Sequence, residues 1–168
     1  LRKEFGDSVL FAVPKTSVVQ TNCFFEFMEK NQLWEVVRRE MTDHELLRIF
    51  MKAQFSEEAT KIHTKMLSYH ERPIAVRSSS PNEDSERTSF AGIYSTVFLP
   101  NCHPNLGVRL AQLQAALKIV YASTFFANAR AYRQTNNIVS GGEQMGALVM
   151  NVAGRQWNLK SGEILYHP

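Results

Sequence analysis

The sequence predicts an α+β fold, and three observations lead to this class. Helical and strand patterns are mixed without a regular β-α-β order, no internal repeat occurs, and closely spaced strands and turns fill the last part of the chain. The 168 residues, of which 44% are hydrophobic, suit one globular domain or a large part of one. This composition excludes disorder of the whole chain.

The first elements are predicted to be a short strand and a small helix. Segment 8–20 is apolar and β-branched, which indicates a strand with Pro14 at its edge. Thr21 or Asn22 is expected to cap the helix that follows. Apolar residues recur there at spacings of three and four, so one face of this helix is predicted to be buried.

Two more helices are predicted before residue 73. Thr42 and Glu45 form a capping box at the start of one helix, and Ser56 is expected to cap the other. His44 and His63 are expected on solvent-exposed faces of these helices. The residues predicted to be buried in the first three helices are Phe24, Phe27, Met28, Leu46, Ile49, Phe50, Ala59, Ile62 and Met66.

The rest of the chain is predicted to alternate between strands and one long helical region. The polar segment 77–89 cannot build a core, whereas apolar residues between Leu106 and Tyr121 recur at helical spacing. The predicted strands span 74–76, 93–99, 145–152, 157–159 and 164–166. The missing initiator Met and the strand pattern at 163–168 indicate a piece of a longer protein.

Composition and spacing exclude several function classes. The net charge is only +3 and the basic residues are scattered, which argues against a nucleic-acid partner. No apolar run is long enough to span a membrane, and no secretory signal is evident. Cys23 and Cys102 are far apart, and no histidine pair has metal-ligand spacing. The sequence therefore predicts a cytoplasmic protein with no membrane partner and with no catalytic residue or metal ligand in this chain.

The segment that begins at Arg77 carries the chemistry. An arginine at a strand end can present a planar set of donors to phosphate oxygens. The hydroxyls that follow and Gly92 can add further donors around the same anion. A purely structural alternative is that Arg77 pairs with one of the acidic residues of segment 83–86 in a solvated turn.

Three segments also resemble one protein family. Residues 76–96 are similar to the VRSS, ED and SFAG motifs, followed by a threonine, of the nucleotide-binding domain shared by phosphoenolpyruvate synthase, pyruvate phosphate dikinase and their relatives. Residues 13–33 resemble the opening motif of that domain, and residues 120–133 resemble its VYAS and ARAYR helix pair. The order of these segments is the order in the family, and together they cover nearly the whole chain.

The resemblance implies an ATP-grasp fold, of which residues 1–168 form the amino-terminal portion. Residues 1–72 would supply a strand and small helices, and residues 73–168 the phosphate-loop strands, the long helices and a terminal β-hairpin. The cofactors implied are ATP and Mg²⁺. Relatives carry a Gly-Gly-Lys lysine, the acidic magnesium ligands and a phosphohistidine in regions expected outside this chain.

The resemblance also implies the site residues. Arg77 would bind the ATP phosphates, and the backbone of the Ser-Phe-Ala-Gly loop would close over them. The strand at 148–152 would line the adenine pocket, where Met150 stands in place of the family's usual Gln. Arg130 or Arg133 would add phosphate charge, although an exposed helix position explains both equally well. The implied nucleotide-binding residues are Arg77, Ser78, Ser89, Ala91, Gly92, Arg130, Val149, Met150 and Val152.

The implied function is that of the ATP-binding portion of a phosphoenolpyruvate synthase-like phosphotransferase. The complete protein would pass a phosphoryl group from ATP to a carrier histidine and then to an acceptor such as pyruvate, with the remaining domains as partners. The fragment by itself is expected to be inactive. Relatives that phosphorylate glucans or rifamycins, or a regulatory module that keeps the fold without catalysis, are the alternatives.

Overall fold

A computed structural model describes residues 13–80, 92–136, 143–158 and 164–167. The strands are β1 Thr16–Val19, β2 Ile74–Ser79, β3 Thr96–Leu99, β4 Gly146–Asn151, β5 Arg155–Asn158 and β6 Ile164–His167. The helices are α1 Thr21–Lys30, α2 Leu33–Val36, α3 Asp43–Lys52, α4 Glu57–Ser68, α5 Leu106–Ser123 and α6 Ala127–Thr135.

The sheet at the centre of the fold has four strands in the order β1-β4-β2-β3. Every neighbouring pair in it is antiparallel, and β5 and β6 form a separate antiparallel hairpin. This mixture of helices with an antiparallel sheet confirms the predicted α+β class. Within the described ranges, none of the helices has the length and apolar character needed to cross a bilayer.

The hydrophobic core lies on one face of this sheet. Helix α5 packs against β2 and β3, and α1 packs against β4. An aromatic cluster fills the space between the helices, with the ring centroids of Phe24 and Tyr121 5.0 Å apart and those of Phe27 and Phe55 4.6 Å apart. Each large side chain buried in this way contributes about 1.5–3 kcal/mol to stability.

Helix capping follows the sequence at two of the three predicted positions. Thr42 and Glu45 form the expected capping box, and the Ser56 side chain accepts a hydrogen bond from the first turn of α4. Helix α1 differs, because its N-cap is Gln20, which makes no side-chain capping bond. The side-chain oxygen Oδ1 of Asn22 instead accepts a hydrogen bond from the backbone N–H of Cys23.

The buried stripe of α4 was predicted wrongly at two adjacent positions. Ile62 is 46% exposed, whereas His63 is fully buried and stacks edge-on against Phe55 with centroids 4.9 Å apart. Neither ring nitrogen of His63 has a hydrogen-bond partner in the described part of the chain. Burial therefore lowers the pKa of His63 to about 4. His44 is exposed as predicted, and Ile49 is half-buried.

Several strand boundaries also differ from the prediction. Strand β2 continues through the polar residues to Ser79, because β4 pairs with it along that whole length. The chain at 93–95 forms a turn, so β3 begins only at Thr96. The predicted strand at 8–20 is observed as β1, and residues 8–12 lie outside the described ranges.

A buried histidine, His70, connects the sheet to the helices. Its Nε2 lies 2.9 Å from the Ser17 hydroxyl of β1, and its Nδ1 lies 2.6 Å from the side-chain oxygen Oδ1 of Asn151 in β4. Its backbone oxygen accepts bonds from Asn101 at 2.7 Å and from Arg109 at 3.0 Å. These contacts hold the end of β4 against the end of α4.

Candidate functional site

The two faces of the sheet differ in character. Ile74, Val76 and Val149 point to the closed face, which is the face that packs on the helices. Alternate residues point the other way, to an open face on which Phe98 is 68% exposed and Val18 59% exposed. The candidate site lies on this open face.

Two neighbouring rows of side chains cross the open face. In one row, Ala75 of β2 stands between Phe98 of β3 and Met150 of β4. In the next row, Arg77 stands between Thr96 and a leucine of β4. The first row is apolar and the second carries a positive charge, and the two are separated by about 7 Å along the strands.

A pocket of about 540 Å³ lies over these rows. It brings together five of the nine residues predicted from the sequence, which are Arg77, Ser78, Gly92, Met150 and Val152. Ala75, Thr96 and Phe98 also line it, and sequence reasoning did not select them. Period-two alternation along β2 was the signal that could have found Ala75, whereas Thr96 and Phe98 are brought here by the pairing of β3 with β2. The volume is typical of a small-molecule site.

Arg77 is the charged group of this pocket. Its side chain is exposed, and the residue is paired with strands on both sides. Arg77 lies two residues before the end of β2 at Ser79, and not at the strand end that the sequence predicted. Among the described residues, no carboxylate lies within ion-pair distance of its guanidinium. The acidic residues of the alternative ion pair, 83–86, lie outside the described ranges. A guanidinium in this position can bind an anion through two parallel hydrogen bonds.

Gly92 lies at the edge of the pocket with a positive φ of 78°. Among the described residues, a Cβ at Gly92 would meet nothing within 4 Å, so this part of the structure leaves space for a ligand. The turn that follows is fixed to the helices: the Ser95 N–H donates to the Ser123 hydroxyl at 3.0 Å, and Asn128 donates to the Ile93 oxygen at 3.0 Å. Ser89 and Ala91 of the same predicted loop lie outside the described residues.

Two other predicted residues lie away from this pocket. Val149 is fully buried on the closed face, because it alternates with Met150 along β4. Arg130 lines a second pocket of about 390 Å³, which shares no lining residue with the first. Arg133, which the sequence offered as an alternative to Arg130, lines the second pocket as well. It is only 3% exposed, so the explanation of an exposed helix position is wrong for this residue.

Comparison with known proteins decides the family. Residues 4–164 match the model described as the AMP/ATP-binding domain of pyruvate phosphate dikinase. The chain belongs to this family. It is also 30% identical over 141 residues to the "Uncharacterized phosphotransferase YvkC" of Bacillus subtilis (strain 168), an alignment that covers 83% of this chain and 16% of the relative. The chain thus spans about a sixth of the length of that relative.

The family assignment confirms the resemblance found in the sequence and makes a nucleotide the ligand against which the pocket is compared. The residues present fit ATP, because Arg77 offers charge for phosphates and the row through Ala75 offers a flat apolar surface for a base. They do not fit Mg²⁺. The described lining of the pocket contains no carboxylate, and the described residues contain no group of three or more potential metal ligands.

Proposed function

We propose that this chain is the nucleotide-binding portion of an ATP-dependent phosphotransferase and that ATP binds on the open face of the sheet. The observation that carries the proposal is the position of Arg77, without a carboxylate partner among the described residues, beside an apolar row in a pocket of about 540 Å³. Membership of an AMP/ATP-binding family and a phosphotransferase relative support it.

The two rows suggest how the nucleotide is oriented. Arg77 and the Thr96 hydroxyl would bind the phosphates, and the positive φ of Gly92 would bring backbone close to them. The base would lie over Ala75, whose small side chain leaves a slot between Phe98 and Met150. The phosphates would then lie over the row that contains Arg77, and the base would lie over the apolar row that contains Ala75.

In this proposal the domain has the ATP-grasp fold and belongs to a cytoplasmic, phosphoenolpyruvate synthase-like enzyme. The γ-phosphoryl group of ATP would pass to a carrier histidine and then to an acceptor such as pyruvate. Charge neutralisation by a lysine and by Mg²⁺ would come from residues outside the 168 of this chain. Glucans or rifamycins are alternative acceptors, since acceptor choice belongs to other domains.

Met150 favours a second candidate, a non-catalytic module. A thioether is a poor hydrogen-bond partner, so Met150 cannot provide the polar contact that the family's usual Gln would provide. A protein that had lost nucleotide binding would tolerate this replacement. The two candidates differ in one measurable property, which is binding of ATP.

The experiment is calorimetric titration of the full-length protein with a non-hydrolysable ATP analogue and Mg²⁺, followed by an assay of ATP-dependent phosphorylation. We expect Arg77→Ala to lower phosphorylation at least ~100-fold, since a charge-assisted phosphate contact contributes a few kcal/mol. Arg48→Ala is the matched control, because Arg48 is exposed on α3 and away from this pocket. Thermal unfolding of both variants should match the parent.

The outcomes separate the two candidates. Binding by the parent that is lost in Arg77→Ala supports the enzyme. Absence of binding by the parent supports the non-catalytic module. Phosphorylation that Arg77→Ala leaves unchanged would show that the phosphates are bound elsewhere.

A further inference from the structure

The second pocket, which the nucleotide proposal does not use, has aromatic walls. Phe25, Trp34 and Phe125 line it. The centroids of Phe25 and Trp34 are 6.1 Å apart, and those of Trp34 and Phe125 are 6.2 Å apart with nearly perpendicular rings. With about 390 Å³ of space, these walls have the size and the apolar character of a small-ligand cavity.

The same pocket contains an excess of positive charge. Its lining includes Arg38, Arg130 and Arg133 but only one carboxylate, that of Glu143. The carboxylate of Glu143 lies 3.4 Å from the Nε of Arg133. Arg38 is paired at 2.6 Å with Glu35, which does not line the pocket. Arg130 has no carboxylate within 4 Å in the described part of the chain. One guanidinium charge of the pocket is therefore not neutralised by these residues.

Backbone carbonyls fix the two arginines of α6 in place. Arg130 donates to the Met41 oxygen at 3.3 Å, and Arg133 donates to the Thr124 oxygen at 2.9 Å. A guanidinium has five N–H donors, so each arginine keeps donors beyond these bonds. Arg133 is only 3% exposed, and its Nε is the atom that lies 3.4 Å from the Glu143 carboxylate, without hydrogen-bond geometry. A positioned donor set in a poorly solvated cavity binds anions more strongly than one in water.

We propose that this second pocket binds a small organic anion, with a phosphate or carboxylate group at Arg130 and a flat apolar portion against Trp34. The anion balances the charge that Arg130 brings, and the aromatic walls take up the apolar portion. Binding here is independent of ATP, because the two pockets share no lining residue.

The test uses phenyl phosphate, which combines both features, and measures its binding to the full-length protein by calorimetry. Inorganic phosphate and phenol, each with one feature, are the control ligands. We expect phenyl phosphate to bind at least about tenfold more tightly than either control ligand. Arg130→Gln should weaken its binding at least about tenfold, whereas Arg48→Gln on the exposed face of α3 should not change it.

Two further measurements keep the proposal separate from the nucleotide site and from folding. Arg77→Ala should leave phenyl phosphate binding unchanged, and the ATP analogue should not displace phenyl phosphate. If Arg130→Gln unfolds, Arg130→Lys and Trp34→Leu replace it, and each should weaken binding. Binding unaffected by these variants, displacement by the ATP analogue, or no saturable binding at millimolar phenyl phosphate would overturn the proposal.

Discussion

The two faces of the central sheet show how one strand can serve stability and binding at once. On the closed face, Val76 is fully buried and packs with the helices, while its neighbour Arg77 is exposed in the candidate site. A change of one position along β2 therefore moves a side chain from the core to the candidate site. Substitutions on the closed face should act on unfolding, and those on the open face should act on binding.

The largest effect is expected in the helical layer that packs on the closed face, at Phe24 of α1. Phe24 is fully buried, and its ring lies 5.0 Å from Tyr121 and 5.8 Å from Trp34. We expect Phe24→Ala to lower the free energy of unfolding by about 3–5 kcal/mol, because it removes a large apolar side chain and leaves a cavity. Urea denaturation measures the loss. A change below about 1 kcal/mol would contradict the assignment of the core to this face.

His63 of α4 makes the free energy of unfolding depend on pH. Its pKa in the folded protein is about 4 and its ordinary value is 6.5, because burial disfavours the charged ring. The unfolded chain binds the proton first as the pH falls, so stability is complete above pH 6.5 and decreases between pH 6.5 and 4. The expected slope is about 1.4 kcal/mol per pH unit, or about 3 kcal/mol across the window.

The control for this dependence is His63→Leu, which fills similar space without a titratable ring. We expect the slope of unfolding free energy against pH to become flatter in this variant over the same window. Nearby Glu26, which opposes the shift by raising the His63 pKa, stays in place. An unchanged slope in His63→Leu would assign the pH dependence to other groups.

Two substitutions at Gly92, at the edge of the pocket, distinguish backbone strain from the loss of space for a ligand. Asparagine tolerates a φ of 78° better than valine does, so Gly92→Val should cost about 1–2 kcal/mol of stability and Gly92→Asn much less. Both variants should weaken binding of the ATP analogue, since either side chain occupies space that the proposed nucleotide needs. Loss of binding in Gly92→Val alone would make Gly92 a structural turn.

The smallest expected effect is at Phe98. Its side chain is 68% exposed on an edge strand, so Phe98→Ala should change the free energy of unfolding by no more than about 0.5 kcal/mol. In the proposed site its ring packs on the base, and its loss should weaken binding of the ATP analogue about fivefold. Calorimetry of this variant beside Phe24→Ala tests the contrast between the two faces directly.

Local sequence rules predicted much of the fold, because capping and periodicity are local effects. The capping box at Thr42 and the helix from Leu106 appear as predicted. His63 was predicted to be exposed because the more apolar Ile62, at the adjacent position, was assigned to the buried face of the helix. The spacing of Ala59, His63 and Leu67 at four-residue intervals was the signal in favour of the histidine.

The candidate site was predictable only where the motifs are continuous. Arg77, Ser78 and Gly92 follow from one motif, whereas Phe98 joins them through strand pairing, which a sequence does not show without the register. Arg130 and Arg133 look alike as residues of an exposed helix. Which pocket they line depends on where α6 packs against the loop before α3 and on Glu143.

The strand order has a consequence for synthesis of the chain on the ribosome. Strand β4 lies between β1 and β2, so Thr16 has no partner in the sheet until Met150 has been synthesised. The hairpin of β2 and β3 forms from nearby residues, but closing the sheet requires a contact between the two ends of the described chain. Such a long-range contact carries a large loop-closure cost and slows folding. Until β4 emerges, the edges of β1 and β2 are open to wrong pairing, so the incomplete chain is expected to be more prone to aggregation than the finished domain.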